Sequence, residues 1–310
     1  MPTLGEIGVE RAGWTAPTST GDRACCLDDT NAAFARMLAS ARGVGRTVGL
    51  VPTMGALHDG HASLIRRAAH DCDVAAVTVF VNPLQFDRAA DLAAYPRTLD
   101  SDVAAAAEAG ATVVFVPSTQ EMFGPTGQVD TTVHVAGLAD RLEGASRPGH
   151  FDGVATVVTK LFALTGPCRA YFGEKDFQQL AVVRRLVADL SLPVRVVGCP
   201  TVRAADGLAL SSRNAYLTAG ERSVAPLLHA ALESAARAAG AGAHAPGVLA
   251  AIVGGALAGE PRFRLDRVDV VDAATLGPPD AGPAPTTELR ILAAAFLGRA
   301  RLIDNVGVCL

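Results

Sequence analysis

Short apolar runs and helix-like stretches alternate along the first 200 or so residues, and this alternation limits the fold more than any other feature. Residues 74–81 read VAAVTVFV, a run typical of a strand that is buried on both faces. Further runs predict strands at residues 47–51, 112–116, 169–172 and 194–198. Apolar residues at helical spacing predict helices at residues 31–41, 62–69, 100–109, 151–164 and 176–190. This alternation predicts a doubly wound α/β domain with a parallel sheet.

The pattern changes near residue 201. Residues 223–258 are rich in alanine and predict a helical stretch that Pro246 interrupts. Strands are predicted at residues 263–271, 289–296 and 300–306. We therefore expect a Rossmann-like domain at residues 1–200 and a smaller α+β lid domain at residues 201–310. Residues 1–25 are rich in Gly, Thr and Pro and are expected to form a poorly ordered extension.

Charge and cysteine usage narrow the class of protein. The 310-residue chain has a formal net charge of −4, whereas nucleic-acid binders usually carry a basic excess. The N-terminus contains Glu6 and Glu10 and lacks a basic start followed by an apolar block, so we expect no secretory signal. We also expect no membrane span. The six cysteines show no CxxC spacing, which favours reduced thiols in a cytoplasmic protein.

Two histidines lie three residues apart in the segment VPTMGALHDGHASLI, residues 51–65. His58 and His61 are bracketed by Gly55 and Gly60, between a predicted strand and a predicted helix. Three interpretations remain open: half of a zinc site, a structural turn, and a cradle for nucleotide phosphates. The cradle is plausible because the free N–H groups of a helix N-terminus attract anions, whereas zinc needs further ligands.

Two later segments carry polar groups suited to phosphate. In YFGEKDFQQ, residues 171–179, Lys175 follows a predicted strand and can bind phosphate as a point charge. Gln178 and Gln179 follow on the first helical turn and can bind a polar substrate. In DGLALSSRN, residues 206–214, two serines and an arginine form either a grip for polyphosphate or an ordinary polar turn.

Two more segments border the same predicted crevice. In FVNPLQFDRAADLAAYPRT, residues 80–98, Asn82 and Gln85 follow the second strand, and residues 87–98 are interpreted as a mobile flap. In LEGASRPGHF, residues 142–151, Arg147 and His150 precede a predicted helix. The alternative for the second segment is a Gly/Pro turn with solvated polar groups.

Taken together, these motifs carry a specific resemblance. PTMGALHDGH, FVNPLQF, YPRT, LEGASRPGHFDGV, FGEKDFQQL and DGLALSSRN, in this order and spacing, resemble the pantothenate synthetase (pantoate–β-alanine ligase) family over residues 48–217. HDGH is similar to the HxGH nucleotide-binding signature of that superfamily, and LSSRN is similar to its second phosphate loop. The resemblance favours the phosphate cradle over the zinc site.

The resemblance implies an ATP-dependent ligase that forms an amide bond in two steps. The carboxylate of pantoate attacks the α-phosphate of ATP, giving pantoyl adenylate and pyrophosphate. The amine of β-alanine then displaces AMP and gives pantothenate. The implied cofactors are ATP and Mg²⁺, the implied partners are small-molecule substrates, and the family implies a homodimer.

The resemblance also implies site residues. The implied ATP site contains Met54, Gly55, Ala56, Leu57, His58, Asp59, Gly60, His61, Gly173, Glu174, Lys175, Asp176, Val202, Leu210, Ser211, Ser212 and Arg213. The implied contacts with pantoate are Gln85 and Gln179, with Gln85 also near β-alanine, and we place Asn82 with this group.

His61 occupies the position to which the family assigns proton donation, and His58, Lys175 and Arg213 complete the expected catalytic set. A pyrophosphate leaving group held by magnesium, Lys175 and Arg213 needs no proton. We therefore expect His61 to act chiefly by stabilising the transition state at the α-phosphate.

Some assignments stay open. Asp100 and Asp102 are candidate magnesium ligands, but we assign no protein ligand to the metal because phosphates and water could hold it. The main alternative function is a nucleotidylyltransferase that moves AMP onto a phosphorylated acceptor. A phosphorylated acceptor would call for basic residues where this chain has Gln85 and Gln179. A non-catalytic nucleotide-binding regulator would need no acceptor pocket at all.

Overall fold

The computed structural model describes residues 9–11, 25–279 and 286–310. Most of the expected extension at residues 1–25 lies outside these residues. The Gly-, Ala- and Pro-rich stretch at residues 276–285, whose composition predicts a surface loop, also lies partly outside them. The described chain divides into two compact units. The first unit is Met1–Gly173 with Val182–Cys199, and the second is Glu174–Ala181 with Pro200–Leu310.

A parallel sheet of seven strands forms the first unit, which confirms the predicted doubly wound fold. The strands are β1 (Val9–Arg11), β2 (Cys25–Asp28), β3 (Val48–Thr53), β4 (Val74–Val79), β5 (Val113–Phe115), β6 (Cys168–Gly173) and β7 (Val194–Cys199). Their spatial order is β1-β2-β5-β4-β3-β6-β7. The chain builds outward from β3 to β5 and then returns to add β6 on the other side of β3. This reversal places a topological switch point between β3 and β6, where such sheets bind ligands beyond the carboxyl ends of the strands.

Helices connect these strands. They are α1 (Asn31–Gly43), α2 (Asp59–Asp71), α3 (Ala89–Ala94), α4 (Leu99–Glu108), α5 (Thr119–Phe123), α6 (Glu143–Ser146), α7 (His150–Thr165) and α8 (Phe177–Asp189). The first five residues of α8 belong to the second unit. Short 3-10 helices occupy Pro83–Gln85 and Glu174–Asp176.

Helices α2 and α4 cover one face of the sheet. Ile65 of α2 and Val103 of α4 pack with Val51 and Val77 of the strands in one buried cluster. The central strand β4 is buried along its whole length, as its continuous apolar run predicts. The packing of α2 against the sheet aims its N-terminus, and the loop before it, at the edge where the strands end.

Helices and an antiparallel sheet form the described part of the second unit, which confirms the predicted α+β character. Its elements are a 3-10 helix (Ser212–Tyr216), α9 (Ala219–Val224), α10 (Leu227–Gly240), α11 (Pro246–Ala258), β8 (Phe263–Asp272), β9 (Glu288–Leu297) and β10 (Ala300–Cys309). Pro246 opens α11 in the first helical turn, where its missing N–H costs nothing. The interruption of the helical stretch at Pro246 was predicted. The structure has a second interruption at Pro226, which precedes α10.

Helices α3, α5 and α6 were not predicted, and α9 begins before the predicted helical stretch at residues 223–258. The segment interpreted as a mobile flap, residues 87–98, contains α3, and α5 and α6 lie in stretches without a helical pattern. In the part of the chain that the structure describes, no helix is long and apolar enough to span a membrane. The most apolar helix, α11, has 13 residues, whereas a span needs about 20.

Candidate active site

The loop that leaves β3 at the switch point has an unusual backbone. Gly55 has φ +82° and Ala56 has φ +50°, so two consecutive residues adopt the left-handed region. A Cβ at Gly55 would lie 2.9 Å from Oδ2 of Asp102 and 3.1 Å from a methyl carbon of Val79. Only glycine therefore fits at position 55.

The carboxylate of Asp102 holds this loop. Its Oδ2 accepts a hydrogen bond from the Ala56 N–H at 3.0 Å, and its Oδ1 accepts one from the Leu57 N–H at 2.7 Å. The Thr98 hydroxyl donates to Oδ2 at 3.1 Å. Asp102 is buried in the first turn of α4. Its position on a packed helix fixes the loop, and its negative charge is compensated by these three donors.

The two histidines cap helix α2. Nδ1 of His58 accepts a hydrogen bond from the Gly60 N–H at 3.1 Å, and Nδ1 of His61 accepts one from the His58 N–H at 3.4 Å. The two rings face each other with centroids 4.1 Å apart. Because each Nδ1 accepts a hydrogen bond, each neutral ring carries its proton on Nε2. Capping uses Nδ1 of each ring, so the structural-turn and phosphate-cradle interpretations are compatible.

The zinc interpretation fails on the number of ligands. Among the residues that the structure describes, no group of three or more His, Cys, Asp or Glu side chains is placed to hold a metal ion. The Nδ1 atoms of both histidines are also occupied by backbone N–H groups.

Gln85 is anchored beside the same loop. Its Oε1 accepts a hydrogen bond from Asn82 Nδ2 at 3.0 Å, and its Nε2 donates to the sulfur of Met54 at 2.9 Å. Its carbonyl oxygen lies 2.8 Å from Nδ1 of His150 and accepts a hydrogen bond from Arg147 at 3.1 Å. The structure therefore brings the predicted substrate residues Asn82 and Gln85 together with the predicted ATP residue Met54.

Three predicted phosphate-binding residues of the second unit line one cavity. Lys175, Ser211 and Arg213 share this cavity with His229 and Asp304. The Arg213 N–H donates to the Ser211 hydroxyl at 3.3 Å, which opens the 3-10 helix. Burial, followed by the nearby Arg203 guanidinium, lowers the pKa of His229 below its usual value. Two positive side chains that could bind polyphosphate, Lys175 and Arg213, therefore line the same cavity.

The remaining predicted residues flank these groups. Gly173 ends β6, Glu174 and Asp176 lie in the 3-10 helix with Lys175, and Gln179 is half-buried in the first turn of α8. The Leu210 N–H donates to the Val202 carbonyl oxygen at 2.9 Å, which closes a hairpin directly before Ser211.

Comparison with known proteins decides the family. The model of the pantoate-β-alanine ligase family matches residues 28–307. The chain belongs to this family. The pantothenate synthetase of Dinoroseobacter shibae is 55% identical over 267 residues, which cover 86% of this chain and 93% of that protein. The pantothenate synthetase of Aeromonas hydrophila is 50% identical over 275 residues, which cover 88% and 95%.

Solved structures agree with this assignment. The crystal structure of pantothenate synthetase from Thermus thermophilus aligns with a TM-score of 0.82 at 46% identity, covering 90% of this chain and 98% of that one. The pantoate-β-alanine ligase of Francisella tularensis, a structure in complex with β,γ-ATP and β-alanine, aligns with a TM-score of 0.72 at 32% identity, covering 90% and 96%. The family resemblance of the motifs is confirmed, and with it the prediction that the chain is a ligase.

Three buried polar residues near the predicted site residues have contacts that the sequence does not show. Asp102 was considered only as a magnesium ligand, whereas its carboxylate holds the backbone of the loop after β3. Asp304 and Asn305 were not considered, although both are buried. The available signal was their place in β10, where two adjacent polar residues interrupt the apolar run RLIDNVGV. Adjacent buried polar residues in a strand need specific partners.

Proposed function

We propose that this ligase uses ATP to join pantoate to β-alanine, through pantoyl adenylate. An oxygen of the pantoate carboxylate bonds to the α-phosphorus of ATP as pyrophosphate leaves. The β-alanine nitrogen then bonds to the pantoyl carbonyl carbon, loses a proton and displaces AMP. The carrying observation is the pair of histidines at the N-terminus of α2, with His58 at the N-cap and His61 in the first turn, beside the switch point.

That loop suits the reacting phosphate. The N-terminus of α2 favours negative charge because its first N–H groups have no helical partner. His58 and His61 direct Nε2–H groups from fixed rings, since their Nδ1 atoms accept backbone hydrogen bonds. Residues 54–61 therefore form the ATP segment of the proposal, with His61 stabilising the charge that develops at the α-phosphate during attack.

The second group of residues suits the leaving pyrophosphate. Lys175 and Arg213 supply positive charge, and Ser211 and Ser212 supply hydroxyl donors. We assign the flanking residues Gly173, Glu174, Asp176, Val202 and Leu210 to the same ATP site. The lid role of residues 201–310 is part of this proposal.

The two side chains that we assign to pantoate, Gln85 and Gln179, are uncharged amides. Gln85 and Gln179 each offer a donor and an acceptor to the hydroxyl and carboxylate groups of pantoate. Asn82 holds the Gln85 carboxamide in place through Oε1. A phosphorylated acceptor would find no positive charge in these two amides, which disfavours the nucleotidylyltransferase alternative.

The described residues do not form a resident magnesium site. No cluster of three ligating side chains exists among them, and the Asp102 carboxylate is engaged by two backbone N–H groups and a hydroxyl. We propose that Mg²⁺ arrives with the phosphates of ATP and water, and we assign it no step.

We also propose a cytoplasmic homodimer, for which size-exclusion chromatography with light scattering is the test of assembly.

Pyrophosphate release tests the function. Enzyme mixed with ATP and pantoate should release pyrophosphate in a burst of one equivalent per site without β-alanine, and AMP release should await β-alanine. Pantoate should also support exchange of labelled pyrophosphate into ATP. A burst that requires β-alanine would contradict the adenylate, and a phosphorylated acceptor that replaced pantoate would favour a nucleotidylyltransferase.

A further inference from the structure

Two adjacent residues of β10, Asp304 and Asn305, are buried and polar, with exposed fractions of 4% and 5%. Consecutive strand residues point to opposite faces of a sheet, so the two side chains reach different segments of the second unit. Each contacts a segment that carries predicted phosphate-binding residues.

Asp304 holds the hairpin before Ser211. Its Oδ2 accepts a hydrogen bond from Nη1 of Arg203 at 2.6 Å, and its Oδ1 accepts one from Nη2 at 3.0 Å. The same Nη1 donates to the Gly207 carbonyl oxygen at 3.2 Å, and the backbones of Arg203 and Ala209 pair as a β-bridge. This bidentate ion pair therefore fixes both arms of the hairpin that ends at Ser211.

Asn305 holds the turn that carries Lys175. Its Nδ2 donates to the carbonyl oxygens of Glu174 at 3.0 Å and Lys175 at 2.8 Å. Its Oδ1 accepts a hydrogen bond from Nε of Arg290 at 2.8 Å. The Arg290 guanidinium lies 3.8 Å from the ring centroid of Phe177, the residue that begins α8. The carboxamide of Asn305 thus uses both its donors and its acceptor, which no carboxylate or aliphatic side chain can do.

We infer that Asp304 and Asn305 are positioning residues that set the spacing between Lys175 and the residues 211–213. Both anchored segments line the same cavity, and both anchors lie on one strand, so the distance between the two phosphate-binding groups is fixed by the sheet. This inference rests on the proposed function, because it assigns that spacing to the pyrophosphate of ATP. It predicts an effect on adenylate formation and none on the later step, in which pyrophosphate has already left.

Asn305→Asp and Asp304→Asn test the inference with nearly unchanged shape. The first places a carboxylate against two carbonyl oxygens, and the second replaces one accepting oxygen by a donor that faces Arg203. Pantoate-dependent exchange of pyrophosphate into ATP should fall on the order of 10²-fold, the typical cost of displacing a binding group by about 1 Å. The KM for ATP should rise and the KM for pantoate should stay constant. Supplied pantoyl adenylate should react with β-alanine near the wild-type rate.

Val306→Ala is the matched control, because Val306 is buried in the same strand and bonds to neither segment. It should lower the melting temperature without changing exchange. If Asn305→Asp does not fold, Asn305→Ser replaces it in the test, because serine keeps one donor. Its rate of pyrophosphate exchange should fall by less than the roughly 10²-fold expected for a misplaced group. Undiminished exchange in the variants, or equal loss in both half-reactions, would overturn the inference. Absence of exchange in the wild type would instead refute the proposed function.

Discussion

Replacing Asp102 with Asn tests what holds the loop between β3 and α2. An asparagine side chain has one accepting oxygen, so either the Ala56 or the Leu57 N–H loses its partner and faces an amide NH₂ group. A hydrogen bond to a charged group contributes about 1.5–3 kcal/mol, which corresponds to a roughly 10- to 150-fold rise in the opening equilibrium of the loop. The left-handed backbone of Ala56, with φ +50°, costs about 1–2 kcal/mol in both proteins, so the difference between them comes from the lost hydrogen bond.

Amide hydrogen exchange at Ala56 and Leu57 measures this opening directly. Asp100→Asn is the matched control: Asp100 is exposed and lies in the same first turn of α4, so it removes the same charge near the helix N-terminus. We expect faster exchange and weaker ATP binding in Asp102→Asn, and wild-type behaviour in Asp100→Asn. Equal exchange of the two loop amides in both variants would refute the role of Asp102.

Two further predictions concern histidines. His61→Ala should slow pantoyl adenylate formation by on the order of 10²–10³, while the lost helix cap should cost about 1 kcal/mol of stability. Rapid-quench measurements of the two half-reactions test this prediction. If both half-reactions and the melting temperature fell together, His61 would have a structural role only. His229 has a lowered pKa because burial and then Arg203 disfavour its charged form, so the unfolded chain takes up its proton first as pH falls through the usual value of 6.5. Denaturant titrations should therefore show that the free energy of unfolding falls less from pH 7 to pH 5 in His229→Gln than in the wild type. The charged neighbours of His229 are Arg203, Asp304 and Glu233. An equal fall in both proteins would contradict this prediction.

The sequence predicts the parallel sheet well because each buried strand carries its own local signal. The run VAAVTVFV needs no knowledge of its neighbours to be recognised as a strand buried on both faces. The loop with His58 and His61 is likewise predictable, since glycines and a helix N-terminus follow a strand within a few residues. Strand β2 (Cys25–Asp28), with four residues, is too short to show such a pattern, and it was assigned in part to the extension.

The positioning residues were not predictable in the same way. Asp102 lies 46 residues from Ala56, and Asn305 lies 130 residues from Lys175. A local pattern shows that such a residue is polar and where its helix or strand runs, but it does not show which distant backbone group it contacts. For Asp102 this gap left a magnesium ligand as a candidate role, because a carboxylate in an acidic stretch suits either role until its neighbours are known.

Each of the two predicted phosphate-binding segments is held by a buried polar residue that lies elsewhere in the chain, and there is a physical reason for this. An N–H group that a loop offers to phosphate cannot at the same time fix the conformation of that loop. The loop also cannot bury enough apolar surface to do so, since it must remain open to the ligand. A buried polar residue on a packed element solves this: Asp102 on α4 holds one segment and Asn305 on β10 holds the other. Because each anchor acts on a loop and not on the core, its loss should weaken ligand binding and catalysis before it lowers the stability of the whole unit.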